Sequence, residues 1–300
     1  MIRVGIIGLD STHAVEFTRL LNASAAPETA CVVAACAGPL TDFPLSMSRR
    51  DAIERQMRDD LSIPILSSRD ELLERVDAVM LLGCDGRGHR AEILAVLPTG
   101  KPIFVDKPLS ADWREAVEIL RAAAAAGSPC FSASALRFRP EPDLARLLAR
   151  QPPVTIFAEV PHLREPGHPD LSWHGIHGVE AAFSLLGPGC QSVQRRLSVL
   201  EDVTHGFWAN GSSVAISRTA TAAGQEFRTT INSAGGKLTL RGHSYAGLLM
   251  AITTFFKSRV APVSLREMVE VLAFIAAADE SRAAGGAVID LAGLLASVDL

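Results

Sequence analysis

Six short apolar runs lie between Ile2 and Ala135, and a helical stretch follows each of the first five. That alternation restricts the chain more than any other feature. Parallel strands need a crossover about as long as a helix, and strands apolar on both faces need helices on both sides. The runs are Ile2–Gly8, Cys31–Ala37, Pro64–Leu66, Asp77–Leu82, Pro102–Val105 and Cys130–Ala135. Helices are expected over Thr12–Asn22 with Asp10 or Ser11 as N-cap, and from Ser48 with Asp51 completing a weak capping box. Others are expected over Asp70–Val76, over His89–Leu97, and from a Ser110 cap to Ala126, where Gly127 stops the chain. With right-handed crossovers the fold class is α/β, beginning with a doubly wound Rossmann-type parallel sheet over residues 1–137.

The pattern changes after Arg139-Pro140. A helix, Asp143–Arg150, leads to a strand, Val154–Val160, and then to the loop PHLREPGHPDLSWHG. A helix over His174–Leu186 precedes strands at Val193–Leu200, Val203–Trp208, Val214–Ala222 and Phe227–Ser233, with a possible fifth at Lys237–Leu240. Asn210-Gly211 is a strong hairpin signal. Helices Tyr245–Phe256 and Leu265–Ala284 close the chain. Strands in succession followed by helices indicate an α+β domain over residues 138–300, with an open, mostly antiparallel sheet. The last helices are candidates to pack back on the first domain.

Composition narrows the classes. A net charge of −4 without a basic stripe argues against nucleic acid. No apolar run reaches the roughly 18 residues of a membrane span. The five cysteines include no C-x-x-C pair and lie mostly in apolar runs, as expected of a reduced, cytoplasmic protein. A reactive thiol is conceivable at Cys84, where a strand ends. An open sheet with free edges favours a homo-oligomer, a dimer or tetramer.

Ligands of an open parallel sheet bind beyond the carboxyl ends of its strands. There the chain places Asp10, Ser11, Thr12 and His13, then Ala37 and Gly38, then Asp85, Arg87 and His89, then Asp106 and Lys107, then Ser134 and Arg137. Lys107 stands out: it follows an apolar strand, and Pro108 restricts its backbone. A lysine there can donate to a substrate oxygen or move a proton; otherwise it is a surface lysine. In HGIHGVEAAF, His174, His177 and Glu180 share a helix face, so His177 is either a proton carrier or a structural histidine.

The segments GIIGL, GKPIFVDKPLS, WHGIHGVEAAFSLLG and PVSLREMVEVLAFIAAADES together resemble the Gfo/Idh/MocA oxidoreductases over essentially the whole chain. The resemblance implies an enzyme using NAD or NADP to move a hydride to or from a secondary alcohol carbon of a sugar, inositol or related polyol. It implies that His177 is the catalytic base and that Lys107 polarises the oxygen. The cofactor is expected at the strand ends, at Gly5, Gly8, Leu9, Asp10, Ser11, Thr12, His13, Asp85, His89, Asp106 and Lys107. The substrate is expected at Arg137, His162, Arg164, Trp173, His174 and Glu180, with Trp208 nearby, and no metal is expected.

Three departures qualify this. Asp10 and His13 replace the last two glycines of G-x-G-x-x-G, Trp173 stands where an aspartate is usual, and the second strand ends in Ala37-Gly38 rather than an acid. LDSTH, SASALRF and HPDLSWHGIHGVE resemble a distinct branch of the family. A carboxylate about 4 Å from a phosphate costs roughly 4 kcal/mol at an effective dielectric near 20. Asp10 must therefore cap the helix, pair with His13 or Arg87, or accompany a displaced or absent dinucleotide. Three other functions stay open on the sequence: a redox-neutral lyase or epimerase with trapped nicotinamide, a metal enzyme using His162, His168, Asp170, His174 and His177, and a non-catalytic sugar sensor.

Overall fold

The computed structural model describes residues 1–300 except 24–29, 40, 140–141, 163–164, 166–169, 199–201, 220–225, 297 and 299–300. Two compact units result: Met1–Ala133 with Tyr245–Ser264, and Ser134–Ser244 with Leu265–Leu300.

The first unit holds β1 (Ile2–Ile7), α1 (Thr12–Ala23), β2 (Ala30–Cys36), α2 (Pro44–Arg55), β3 (Ile65–Leu66), α3 (Arg69–Arg75), β4 (Ala78–Leu81), α4 (His89–Val96), β5 (Ile103–Val105), α5 (Trp113–Ala125) and β6 (Cys130–Ser132). All pairings are parallel, in the order β3-β2-β1-β4-β5-β6. This is the doubly wound order, and its direction reverses between β1 and β4. Ile6, Ile7, Val79, Met80, Phe104 and Val105 are wholly buried, as strands covered on both faces require. Helix α5 buries Trp113, Ala116, Val117, Ile119, Leu120 and Ala123, a helical stripe. Each large side chain buried there contributes about 1.5–3 kcal/mol.

Several expected boundaries move, three of them for a visible reason. Helix α2 starts at Pro44, not Ser48, because proline is already set for the first helical position and loses no hydrogen bond there. The cap of α5 is Asp112, which accepts from the Arg114 amide at 2.7 Å, while Ser110 Oγ instead donates to Glu115. The last strand stops at Ser132, because the Ser134 side chain turns the chain into a short 3-10 helix over Ala135–Phe138.

The second unit holds α6 (Pro142–Ala149), β7 (Thr155–Pro161), α7 (Asp170–Trp173), α8 (Gly175–Leu186), β8 (Cys190–Leu197), β9 (Asp202–Trp208), β10 (Ser213–Thr219), β11 (Arg228–Ser233) and β12 (Gly236–Arg241). After α9 (Tyr245–Ser258), which belongs to the first unit, come α10 (Leu265–Ala283), β13 (Ile289–Asp290) and α11 (Leu291–Ala296). The sheet order is β12-β11-β7-β10-β9-β8-β13, antiparallel except for β7 with β10. Ile156, Ala158, Val160, Val214 and Ile216 point to the buried face. Helix α8 lies so close above them that a Cβ on Gly178 would meet Ile216 at 2.9 Å and Val160 at 3.0 Å. In the first unit, α9 sets Phe255 edge-on to Phe131 of β6, with 4.8 Å between ring centres.

Candidate functional site

At the switch point, β1 runs into Gly8 and β4 into Gly83. Gly8 has φ +97°, and a Cβ on it would collide with the Gly83 backbone. Only glycine satisfies both the conformation and the approach. The first fingerprint glycine is thus retained for a physical reason.

Asp10 takes a course the sequence did not suggest. Its Oδ1 accepts from the Cys84 amide at 3.0 Å and its Oδ2 from Ser46 Oγ at 2.5 Å. It neither caps α1 nor pairs with His13 or Arg87; instead it ties the first loop to the loop after β4 and to α2. Ser11 Oγ accepts from the His13 amide at 3.2 Å, which leaves the capping role to Ser11. The carboxylate is directed at these two donors and is 8% exposed.

His13 is equally committed. Its ring stacks on Phe17, Nδ1 lies 2.5 Å from Asp106 Oδ2, and Nε2 lies 3.2 Å from the Tyr245 hydroxyl. The replaced third glycine has become a strut between α1, the end of β5 and the start of α9. Burial pushes the Asp106 carboxyl up, but His13 and then Lys107 outweigh it and hold it below the ordinary aspartate range. Asp106 Oδ1 also accepts from the Lys107 amide at 2.8 Å. Burial draws the Lys107 ammonium below the ordinary lysine value, with Asp106 opposing. Such a lysine gives up its proton more readily than a surface one.

Beyond β4, Asp85 accepts from Arg87 Nε at 2.9 Å, from Arg87 Nη2 at 2.7 Å and from Thr41 Oγ1 at 2.7 Å. Burial raises Asp85, yet the Arg87 and Thr41 hydrogen bonds bring it down to about 2. His89 sets Nδ1 2.8 Å from the Pro108 carbonyl and Nε2 2.8 Å from that of Gly83, joining two loops of the edge. Burial and the neighbouring Asp10 push the Cys84 thiol far up, so it is inert rather than reactive.

These groups border a cavity of about 440 Å³ whose walls include Gly8, Asp10, Ala37, Thr41, Asp42, Gly83, Asp85, Arg87 and His89. Its glycine floor, its place at the switch point and its size suit the adenosine half of a dinucleotide. Thr41, Asp42, Ser46 and Tyr245 escaped the sequence reading. Thr41, Asp42 and Ser46 lie on or just beyond an unpatterned loop; Tyr245 is more than a hundred residues from its partners, and being the only tyrosine was its one signal.

The second unit is described separately. His177 Nδ1 lies 2.7 Å from Ser134 Oγ, and that oxygen accepts from the Leu136 amide at 3.1 Å. Phe227 meets the imidazole edge-on, with 5.0 Å between centres, and His174 lies 5.7 Å away. Arg137 and Glu180, expected at the substrate, bind one another at 2.6 Å, and Arg137 also pairs with Glu267. Both are buried, and with Glu267 they link α8 to α10. Burial pushes Glu180 up, against Arg137, which pulls it down. Trp208 is buried too, donating Nε1 to the Gly187 carbonyl at 3.1 Å. His162 follows β7 and Trp173 ends α7, both half-buried; Arg164 and His168 lie outside the described residues. Among the described residues no group of three or more His, Cys, Asp or Glu is placed to hold a metal ion, and no helix is long and apolar enough to cross a membrane.

Residues 2–134 match the model of the Gfo/Idh/MocA family, described as an oxidoreductase family with an NAD-binding Rossmann fold. No curated protein matches the chain. Several solved structures share the fold at low identity. A probable dehydrogenase from Thermotoga maritima is 18% identical, with TM-score 0.77, over 97% of this chain and 99% of that one. The myo-inositol dehydrogenase of Lactobacillus casei, solved with NAD(H) and myo-inositol, is 18% identical, with TM-score 0.75, over 97% and 96%. The WlbA dehydrogenase of Bordetella pertussis, solved with NADH and UDP-GlcNAcA, is 18% identical, with TM-score 0.73, over 96% and 98%.

Proposed function

Since residues 2–134 belong to the Gfo/Idh/MocA oxidoreductase family, we propose that the protein is a nicotinamide-dependent oxidoreductase acting on a secondary alcohol carbon of a sugar, inositol or related polyol. The observation that carries the reading is the glycine-floored cavity at the switch point, with Lys107 at the carboxyl end of β5 in the same unit. The substrate class is supported by the neighbours solved with myo-inositol and with UDP-GlcNAcA.

When bound, the nicotinamide accepts or supplies the hydride. The protein's own groups manage the proton and the oxygen. Lys107, its ammonium softened by burial, donates a hydrogen bond to the alcohol oxygen and stabilises negative charge as the proton leaves. The role of base is assigned to His177, as the family resemblance implies. Its Nδ1 lies 2.7 Å from Ser134 Oγ, a contact that orients the ring. His13 and Asp106 contribute rigidity: they hold the backbone that carries Lys107.

The test is isotopic. The protein is incubated with NAD+ and cyclic polyols deuterated at their carbinol carbons. Deuterium appearing in the reduced nicotinamide is the expected result. Polyol turned over with no net reduced nicotinamide would replace this reading with a redox-neutral reaction.

A further inference from the structure

The second strand lacks the acid that ordinarily grips an adenosine ribose, yet a carboxylate reaches the same cavity by another route. Gly38, with φ +73°, turns the chain immediately after β2. Arg50 of α2 pins that turn, donating to the Gly38 carbonyl at 2.7 Å and to the Pro39 carbonyl at 3.0 Å. The chain then returns to the cavity wall at Thr41 and Asp42. Asp42 accepts from Arg87 Nη2 at 2.7 Å while its side chain stays 87% exposed at the rim.

The charges at this end are unequal. Asp42 and Asp85 share the single Arg87 guanidinium, and Glu92 on the same wall is answered separately by Arg69 at 3.3 Å. With Asp10 also on the wall, two negative charges are left in excess. Arg87 already spends Nε and Nη2 on these carboxylates. The rim therefore offers acceptors, which suit hydroxyl donors, and repels a group that carries only acceptors and negative charge.

We propose that Asp42 selects the cofactor, accepting the hydroxyls of an unmodified adenosine ribose and excluding a 2′-phosphate, so that the site takes NAD and rejects NADP. The inference rests on the dinucleotide reading above. It assigns to a residue beyond the strand the selection that the strand's own end cannot make.

Isothermal titration of the purified protein with NAD+ and NADP+ tests it without any turnover. NAD+ should bind roughly a hundredfold more tightly than NADP+. In Asp42→Asn, NAD+ should weaken roughly tenfold, from a lost charge-assisted acceptor. The same variant relieves Arg87 of one carboxylate, so NADP+ should tighten and the two affinities converge. Equal affinities in the wild type, or a ratio unmoved by Asp42→Asn, would overturn the proposal while leaving dinucleotide binding intact. A wild-type protein that binds neither would overturn the dinucleotide reading itself.

Discussion

Asp10 occupies a position where glycine is expected, and its neighbours explain how it is tolerated. The carboxylate satisfies the Cys84 amide and the Ser46 hydroxyl, both nearly buried. Restoring the glycine would leave those donors without their partner, at about 1–3 kcal/mol. Asp10→Gly should therefore lower the denaturation midpoint and fail to tighten dinucleotide binding; a variant as stable as the wild type that binds more tightly would show that the carboxylate acts against the ligand. None of this was legible in the sequence, because Ser46 and Cys84 lie 36 and 74 residues away from Asp10 and neither carries a motif. Arg137 makes the complementary case. Read at a strand end it resembles a substrate ligand, but folded it is shared by two carboxylates in the interior. Arg137→Ala should cost about 3–5 kcal/mol of stability, since Glu180 and Glu267 lose their compensating charge. Unchanged stability with a raised KM would return Arg137 to the substrate. His177→Ala should lower turnover by about 10² to 10⁴ with unchanged circular dichroism, and undiminished turnover would remove the histidine from the mechanism.

At the scale of elements, strands and helices of the first unit were readable from periodicity, because strands apolar on both faces and amphipathic helices carry opposite patterns. The ends were less so. Ser48 and Ser110 look like caps, but Pro44 and Asp112 begin α2 and α5, since local hydrogen bonds and a preset φ decided each boundary. The loops after β2 and β4 were blank in the sequence for a related reason: they are organised by the pairing of Thr41, Asp42, Asp85 and Arg87 with one another. That pairing has a pH signature. Asp85 sits near 2 when folded, below the ordinary aspartate value of about 3.9, so its contribution is complete above about pH 4. It is lost as the pH falls towards 2. The gap in thermal midpoint between the wild type and Asp85→Asn should narrow across that interval. A constant gap would mean that the Asp85 charge adds nothing to stability.

For the whole molecule, the class of fold followed from the order of elements, and the family resemblance from a few short segments; the closing helices were read only as candidates for the first domain. Tyr245–Ser264 belongs to the first unit although more than a hundred residues of the second precede it. Side-chain packing decides this, through Phe255 against Phe131 and Tyr245 against Phe17 and His13. The first unit thereby encloses a switch-point cavity whose two departures from the glycine fingerprint are both occupied in bracing the loops around it. This braced loop should still hold a dinucleotide. Native mass spectrometry of the purified protein, with and without added NAD(H), tests it most directly. One exchangeable dinucleotide per chain is expected; no adduct at millimolar cofactor would contradict dinucleotide binding.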